Sequence, residues 1–478
     1  MQKQLDWQQK LQEQPNDLHV HLMGIGGTGL SAIAQVLLEL GVKISGSDRQ
    51  SSANTERLAQ QGATIFEQQI AANLTEQPET FRPDVVLISS AIDRSNPELL
   101  AAEVRSLSVV KRADFLPILL AERQLIAVAG THGKSTTTAM IIQALRESGI
   151  EAGYIVGTIV PGYGNACAGN SPYFVLEADE YDHMFLGLQP TVAVITNVEW
   201  DHPDCYPTPE SFTDAFAQFI QQVQPDGMVI SCADDVGAEQ LRTNSQISCE
   251  TKQIDWITYG YSDAATMQAV DPKPVVGSGY QADITWQERA WDQLALSVPG
   301  LHNLQNALAT LTVARWCQVP SHQATAALAR FGGTARRFEY KGVINDVLVF
   351  DDYAHHPSEI QVTLSAARKR YPERRIWAVF QPHTYSRTRE MMVEMAHSFT
   401  DADQVLVTDI YSAREIDDGT VKAIDLVKAS PHPAIRHTPL LADAVQYLTT
   451  YTRPNDIVIT LGAGDSYQIG EALLASEK

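Results

Sequence analysis

Cysteine is scarce in this chain: Cys167, Cys205, Cys232, Cys249 and Cys317 are the only five in 478 residues. None forms a CxxC pair or a tight metal-binding spacing, which argues against a disulfide framework or a zinc ribbon. The simplest reading is reduced thiols in a cytoplasmic protein. Long apolar runs are missing as well. No segment holds the roughly 18 consecutive apolar residues of a membrane helix, and the polar, Gln-rich residues 1–18 do not resemble a secretion signal. Positive charge is in deficit, with 35 Lys and Arg against 57 Asp and Glu, a net charge of -22. Such a field repels polyanions, so nucleic-acid and anionic-membrane binding are not expected. Any anion this protein binds must meet a local concentration of cations and backbone N–H groups.

What is present is an ordinary globular composition, 44% hydrophobic and 19% charged, in a chain too long for one core; about 150 residues per domain suggests three. Short β-rich runs alternate with helix-patterned stretches, the rhythm of parallel βαβ units. The rhythm starts at residue 19, restarts at 125–129 and restarts again at 347–350. Three α/β domains are therefore expected, with boundaries near Leu120 and at Gly332-Gly333: residues 1–120, 121–333 and 334–478.

The first domain carries Gly24-Ile25-Gly26-Gly27-Thr28-Gly29, a G-x-G-x-x-G loop between a predicted strand and a predicted helix. Gly24, Gly26, Gly27 and Gly29 permit a tight turn and close approach of a diphosphate to the helix N-terminus. Asp48, ending the second predicted strand, suits a ribose hydroxyl. Alone, this motif suggests an NAD-dependent dehydrogenase.

The second domain carries a stronger signal, Gly130-Thr131-His132-Gly133-Lys134-Ser135-Thr136-Thr137-Thr138, again between strand and helix. The glycines expose N–H groups to phosphate oxygens, Lys134 brings a cation, and the Ser135 hydroxyl can ligate Mg²⁺. Only two residues separate Gly130 from Gly133, where a general P-loop has four. Two acidic clusters follow at predicted strand ends, 177–182 and 197–202, on the sheet edge that carries the phosphate loop. Ser135, Glu177 and His202 are the expected Mg²⁺ ligands, with Glu180 in reserve for Glu177.

These loops, together with Gly300-Leu301-His302-Asn303-Leu304-Gln305-Asn306, Arg336-Arg337-Phe338, Asp351-Asp352-Tyr353-Ala354-His355-His356-Pro357, Gln381-Pro382-His383-Thr384-Tyr385-Ser386-Arg387 and Gly462-Ala463-Gly464-Asp465, resemble in identity and order the Mur ligase family. The resemblance covers nearly the whole chain. It implies an N-terminal Rossmann-like domain, a central parallel-sheet P-loop ATPase-like domain and a C-terminal Rossmann-like domain. The first loop would then hold the diphosphate of a UDP-sugar. ATP would lie between the second and third domains, with Gly130, Thr131, His132, Gly133, Lys134, Ser135 and Thr136 on its phosphates. His302, Asn303 and Asn306 would face the adenine, Arg336 or Arg337 the phosphates, and Asp351 the ribose. Tyr353, His355 and Arg387 would face the amino acid. Lys134, Glu177, His202, His355 and Arg387 would carry the chemistry.

The activity implied is ATP- and Mg²⁺-dependent joining of L-alanine to the lactyl carboxylate of UDP-N-acetylmuramate through an acyl phosphate, by a cytoplasmic monomer or weak homodimer. Relatives that add later amino acids carry a carbamoylated lysine downstream of the Asn-to-His cluster; here no lysine occurs between Lys134 and Lys252, as expected of the alanine-adding branch. Ser135 stands where threonine is commoner, and Tyr181-Asp182-His183-Met184 resembles the branch that attaches a peptide to the same nucleotide. The glycine loop Gly26-Gly27-Thr28-Gly29 favours alanine. A dehydrogenase would leave the second loop and the acidic clusters without purpose.

Overall fold

The computed structural model describes residues 6–476 apart from 90, 276–277 and 414. Its strands form three sheets, met in order along the chain. The first comprises β1 (His19–Met23), β2 (Lys43–Ser47), β3 (Thr64–Phe66), β4 (Val85–Ile88) and β5 (Ser108–Lys111), ordered β3-β2-β1-β4-β5 and wholly parallel. The order reverses beside β1, and the crevice at that reversal is where open α/β sheets bind ligands. The glycine loop follows β1 directly and leads into helix α1 (Thr28–Glu39).

The central sheet has ten strands: β6 (Gln124–Ala129), β7 (Gly153–Val160), β8 (Gly164–Cys167), β9 (Tyr173–Glu177), β10 (Val192–Ile195), β11 (Met228–Cys232), β12 (Asp255–Gly260), β13 (Met267–Pro274), β14 (Tyr280–Trp286) and β15 (Arg289–Ala295). Strand β6 lies between β9 and β10, all parallel, so the phosphate loop and both acidic clusters leave from one edge. The sheet is not parallel throughout: β8, β14 and β15 run antiparallel to their neighbours at the two margins. Helices α2 (Lys134–Glu147) and α3 (Leu301–Trp316) pack together against it.

The third sheet holds β16 (Glu339–Ile344), β17 (Val347–Asp352), β18 (Arg375–Phe380), β19 (Gln404–Val407), β20 (Ile435–His437) and β21 (Asp456–Leu461), ordered β16-β17-β21-β18-β19-β20, with β16 the antiparallel edge. Helix α4 (Pro357–Arg370) follows β17, and α5 (Tyr385–Glu390) follows β18. No helix among the described residues is long and apolar enough to cross a membrane.

The first two sheets share one continuous apolar core. Leu30, Ile33 and Leu37 of α1 belong to the same cluster as Ile155, Ala166 and Phe174 of the central sheet, and Phe115 and Leu119 belong with Phe185. The third sheet keeps its own apolar clusters on its two faces. Its seam with the centre is polar instead: Arg387 pairs with Asp201, Ser358 donates to Glu199, and Thr158 donates to the Ala335 carbonyl.

Inside the first domain a buried acid organises β1 and β2. The Glu98 carboxylate, with no exposure, lies 3.0 Å from His21 Nε2 and accepts from Asn73 Nδ2 at 2.7 Å and from the Ser47 hydroxyl. Each partner satisfies an oxygen that burial would otherwise strand. Glu98→Ala leaves the His21 ring facing a void, and we expect it to lower stability by about 3–5 kcal/mol, read as a shift of the urea midpoint.

Candidate active site

The phosphate loop takes its shape from two glycines that nothing else could replace. Gly130 has φ +136°, and a Cβ there would fall 2.0 Å from Thr196 Oγ1; Gly133 has φ +80°, and its Cβ would fall 2.7 Å from Asn306 Oδ1. Gly133 is also the N-cap of α2 and makes no side-chain cap, so the first amides of α2 are left for an anion. The Asn197 region fastens the loop: the His132 amide donates to Asn197 Oδ1 at 2.9 Å, the Thr131 hydroxyl to the Glu199 carbonyl at 2.7 Å, and the Thr196 hydroxyl to the His132 carbonyl at 2.6 Å.

Two cavities open at this edge. The smaller, about 320 Å³, is lined by His132, Gly133, Thr136, His302, Asn303, Asn306 and Arg337 among others. Every residue expected near adenine thus borders one space with the loop. Burial, and then the nearby Arg337, pull the His302 imidazole down to about 4, so it is neutral. The larger, about 700 Å³, is where all three domains meet: Gly29 and Arg112 from the first, Lys134, Ser135, Glu177, Glu180 and His202 from the second, and Tyr353, His355 and Arg387 from the third.

Charges alternate across the larger cavity. Lys134 Nζ donates to Glu180 Oε1 at 2.8 Å and to the Thr131 carbonyl at 3.1 Å. Burial opposes its charge, but Glu180 more than offsets this and raises its pKa. Glu180 Oε1 also lies 3.5 Å from His202 Nε2, while its Oε2 is buried with no hydrogen-bond partner among the described residues. Ser135 donates to Glu177 Oε1 at 2.7 Å, and the Gly157 amide donates to Glu177 Oε2 at 2.6 Å. His202 is therefore grouped with Glu180, and Ser135 with Glu177, on one cavity wall.

Four expected roles differ from what the side chains do. Asp351 lines neither cavity; it is buried, accepting from Arg336 Nε at 2.9 Å and the Thr460 hydroxyl at 2.6 Å, so it does not face a ribose. Its neighbour Asp352 faces the smaller cavity instead, and burial pushes its carboxyl up to about 6. Arg336 is occupied by Asp351 and by the Gly462 and Gly464 carbonyls, which leaves Arg337 as the arginine bordering both cavities. Asp48 lines neither cavity and pins the first loop, accepting from the Gly26 amide at 2.8 Å. Arg387, 3% exposed, turns its fork to Asp201 Oδ1 within the protein, with Nε at 2.9 Å and NH2 at 2.8 Å, and not to an open carboxylate slot.

Sequence reading missed Arg112 and Glu359, and carried Glu199 only as a member of the 197–202 acidic cluster, with no role of its own. Arg112 opens the helix after β5 and lies against the start of α1, its NH1 2.4 Å from where a Gly29 Cβ would sit. Its buried Nε has no hydrogen-bond partner among the described residues. Glu199 and Glu359 flank His132, at 3.0 Å from Nε2 and 3.2 Å from Nδ1. Burial works against the imidazolium, yet the two carboxylates raise it to about 9.

Residues 19–124 match the family described as Mur ligase family, catalytic domain; 128–314 match the Mur ligase middle domain; 336–464 match the Mur ligase, glutamate ligase domain. The chain belongs to the Mur ligase family. It is 39% identical to the UDP-N-acetylmuramate--L-alanine ligase of Frankia casuarinae, over 96% of this chain and 97% of that one. It is 41% identical to the same-named ligase of Renibacterium salmoninarum, over 96% of each. Among solved structures, the UDP-N-acetylmuramate-alanine ligase of Thermotoga maritima superposes with a TM-score of 0.79 at 26% identity, over 96% of this chain and 99% of that one. A murein peptide ligase from Psychrobacter arcticus gives 0.70 at 27%, over 96% and 98%.

The imidazoles set a pH profile. His302 and His355 have folded values of about 4, the second through burial and then Arg387. The unfolded chain therefore takes up protons from about pH 6.5 downward that the fold refuses until about 4, and stability falls as the pH drops through that window. His132, raised to about 9, contributes stability that is complete below 6.5 and lost as the pH rises through 9. We expect a stability maximum near pH 6.5 in thermal scans, with the alkaline decline flattened in His132→Gln.

Proposed function

We propose that this chain is an ATP-dependent ligase that joins L-alanine to the lactyl carboxylate of UDP-N-acetylmuramate, a step of peptidoglycan precursor synthesis carried out in the cytoplasm. The observation that carries this reading is the shared cavity. The two anion-binding glycine loops and the third domain's Tyr353, His355 and Arg387 all open onto one space of about 700 Å³. The names of the curated relatives point to alanine as the amino acid.

In this reading the nucleotide of ATP occupies the smaller cavity, its adenine beside His302, Asn303 and Asn306 and its phosphates along residues 130–136 and Arg337. The UDP diphosphate of the sugar meets the uncapped start of α1 and Arg112, whose buried Nε has no hydrogen-bond partner among the described residues. A lactyl carboxylate oxygen attacks the γ-phosphorus, the bond to ADP breaks, and an acyl phosphate forms. The amine of L-alanine then attacks the acyl carbon, phosphate leaves with its bonding electrons, and the nitrogen loses a proton. The substrates bring both nucleophiles, so the protein's part is to position anions and offset their repulsion.

Lys134 changes partners in this scheme, from Glu180 to the γ-phosphate. Ser135, Glu177 and His202, with the orphaned oxygen of Glu180, form an oxygen-rich set suited to Mg²⁺. Those residues would hold the ion, and when bound it supplies positive charge beside the triphosphate. His355, kept neutral, presents a ring nitrogen that can accept a hydrogen bond from the incoming ammonium, while Arg387 stays paired with Asp201 as a fixed positive wall.

The direct test is phosphate release with Mg²⁺, ATP and UDP-N-acetylmuramate across a panel of amino acids and small peptides. L-alanine should give the fastest turnover; a peptide as the sole acceptor would reassign the chain to the peptide-attaching branch. Lys134→Ala should cut turnover by about 10²–10³-fold or more while calorimetry still registers UDP-N-acetylmuramate binding. Arg112→Ala should raise the KM for the UDP-sugar about 10–100-fold, the loss of charged hydrogen bonds, with the KM for ATP little changed. Equal KM values in variant and parent would remove Arg112 from the site.

A further inference from the structure

One group of metal-ligating side chains joins His132 of the phosphate-side loop to two residues, Glu199 and His356, that these steps do not use. His132 and Glu199 of the central domain and His356 of the C-terminal domain each offer a ligand atom, and these atoms all lie within 4.8 Å of one another. His132 Nε2 is 3.0 Å from Glu199 Oε2, and the His132 and His356 ring centroids are 4.7 Å apart at a 50° tilt. We infer that these three side chains form a second metal site, for a Zn²⁺-type ion, that staples the third domain to the second. The inference does not depend on which amino acid the ligase uses.

The donor set supports it. Two imidazoles and one carboxylate are what Zn²⁺, Co²⁺ and Ni²⁺ take, whereas the set around Ser135 and Glu177 is oxygen-rich and suits Mg²⁺. The outer contacts support it too. Glu359 Oε1 stands 3.2 Å from His132 Nδ1, so it can hold the ring proton there and turn Nε2 toward the ion. The Ser358 hydroxyl donates to Glu199 Oε1 at 2.6 Å, which fixes that carboxylate and leaves Oε2 to ligate. Glu359 is itself held by the His355 amide at 3.1 Å. Ligation would displace two existing bonds, the 3.0 Å contact of His132 Nε2 with Glu199 Oε2, whose proton leaves as the ion enters, and the long 3.3 Å contact from the Ser358 amide to His356 Nδ1.

The site is also open on one side. His132, Glu199, Ser358 and Glu359 all line the smaller cavity. A fourth ligand, water or a phosphate oxygen, can therefore reach the ion from the nucleotide space. An ion here would fix the spacing of two domains that ATP must enter between, so Zn²⁺ should inhibit by opposing nucleotide exchange.

The test uses the full-length chain with saturating Mg²⁺ throughout, so that the oxygen-rich site is filled. Equilibrium dialysis with Zn²⁺ should find one ion per chain, and Co²⁺ in its place should show the intense visible bands of a four-coordinate ion. Glu359→Gln, which leaves all three ligands in place and keeps a side-chain oxygen for the α4 cap, should weaken the ion about 10–100-fold. His356→Ala and, separately, Glu199→Gln should weaken it further, with thermal scans confirming that each variant is folded. Added Zn²⁺ should raise the KM for ATP in the parent and not in His356→Ala. No stoichiometric Zn²⁺ in the parent would overturn the inference. So would binding unchanged in both His356→Ala and Glu199→Gln, or binding lost in His202→Ala alone.

Discussion

The site is held together by the buried ion pair between Arg387 and Asp201, one of the points at which the third domain is tied to the second. Both residues are 3% exposed, so neither has water to fall back on, and removing either would strand a charge. From that pair a line of alternating charge runs inward: Arg387 beside Asp201, Asp201 beside His202, His202 beside Glu180, and Glu180 beside Lys134. Burial resists every charge in the line. Arg387 holds the Asp201 carboxyl well below its ordinary range, and Asp201 and Glu180 together raise His202. The position of a domain and the charge of Lys134 are thus set by one connected set of groups.

This arrangement reconciles a net charge of -22 with a site for two anionic nucleotides. Of the 35 Lys and Arg, five (Arg112, Lys134, Arg336, Arg337 and Arg387) border a common cavity at one edge. Acids in the same cavity keep some of those cations neutralised while no ligand is bound. Glu180 is the clearest case, with one oxygen on Lys134 and the other without a hydrogen-bond partner among the described residues. In the proposed reaction an arriving phosphate would replace that carboxylate, so the lysine would exchange one anion for another and not be left desolvated and alone.

Most of the architecture was legible because its signals are local. Strand, glycine loop and helix follow one another within about 20 residues at both phosphate-binding turns, and the period of the apolar residues marks each element. Asp351 and Asp352 show where that kind of reading ends. Adjacent residues on a strand point to opposite faces, and nothing local says which face meets the ligand; Asp351 turned to Thr460 and Arg336, Asp352 to the cavity. Arg112 was invisible for another reason. A single arginine at a helix start carries no motif, and it matters only because β5 brings it beside a loop some 80 residues earlier in the chain. Glu359 reads as an ordinary first-turn helix acid, which it also is, since it caps the start of α4. Its contact with His132 belongs to the docking of two domains and has no counterpart in sequence spacing.

The continuous core beneath the first two sheets bears on how the chain is made. Phe115, Leu116, Leu119 and Leu120 close the N-terminal domain, yet the apolar cluster they belong to extends to Ile254. A ribosome releasing this chain would expose that greasy face until the central strands had emerged to cover it, an interval in which the nascent protein is open to chaperones and to aggregation. The C-terminal domain, sealed by clusters of its own, can collapse without help from what precedes it.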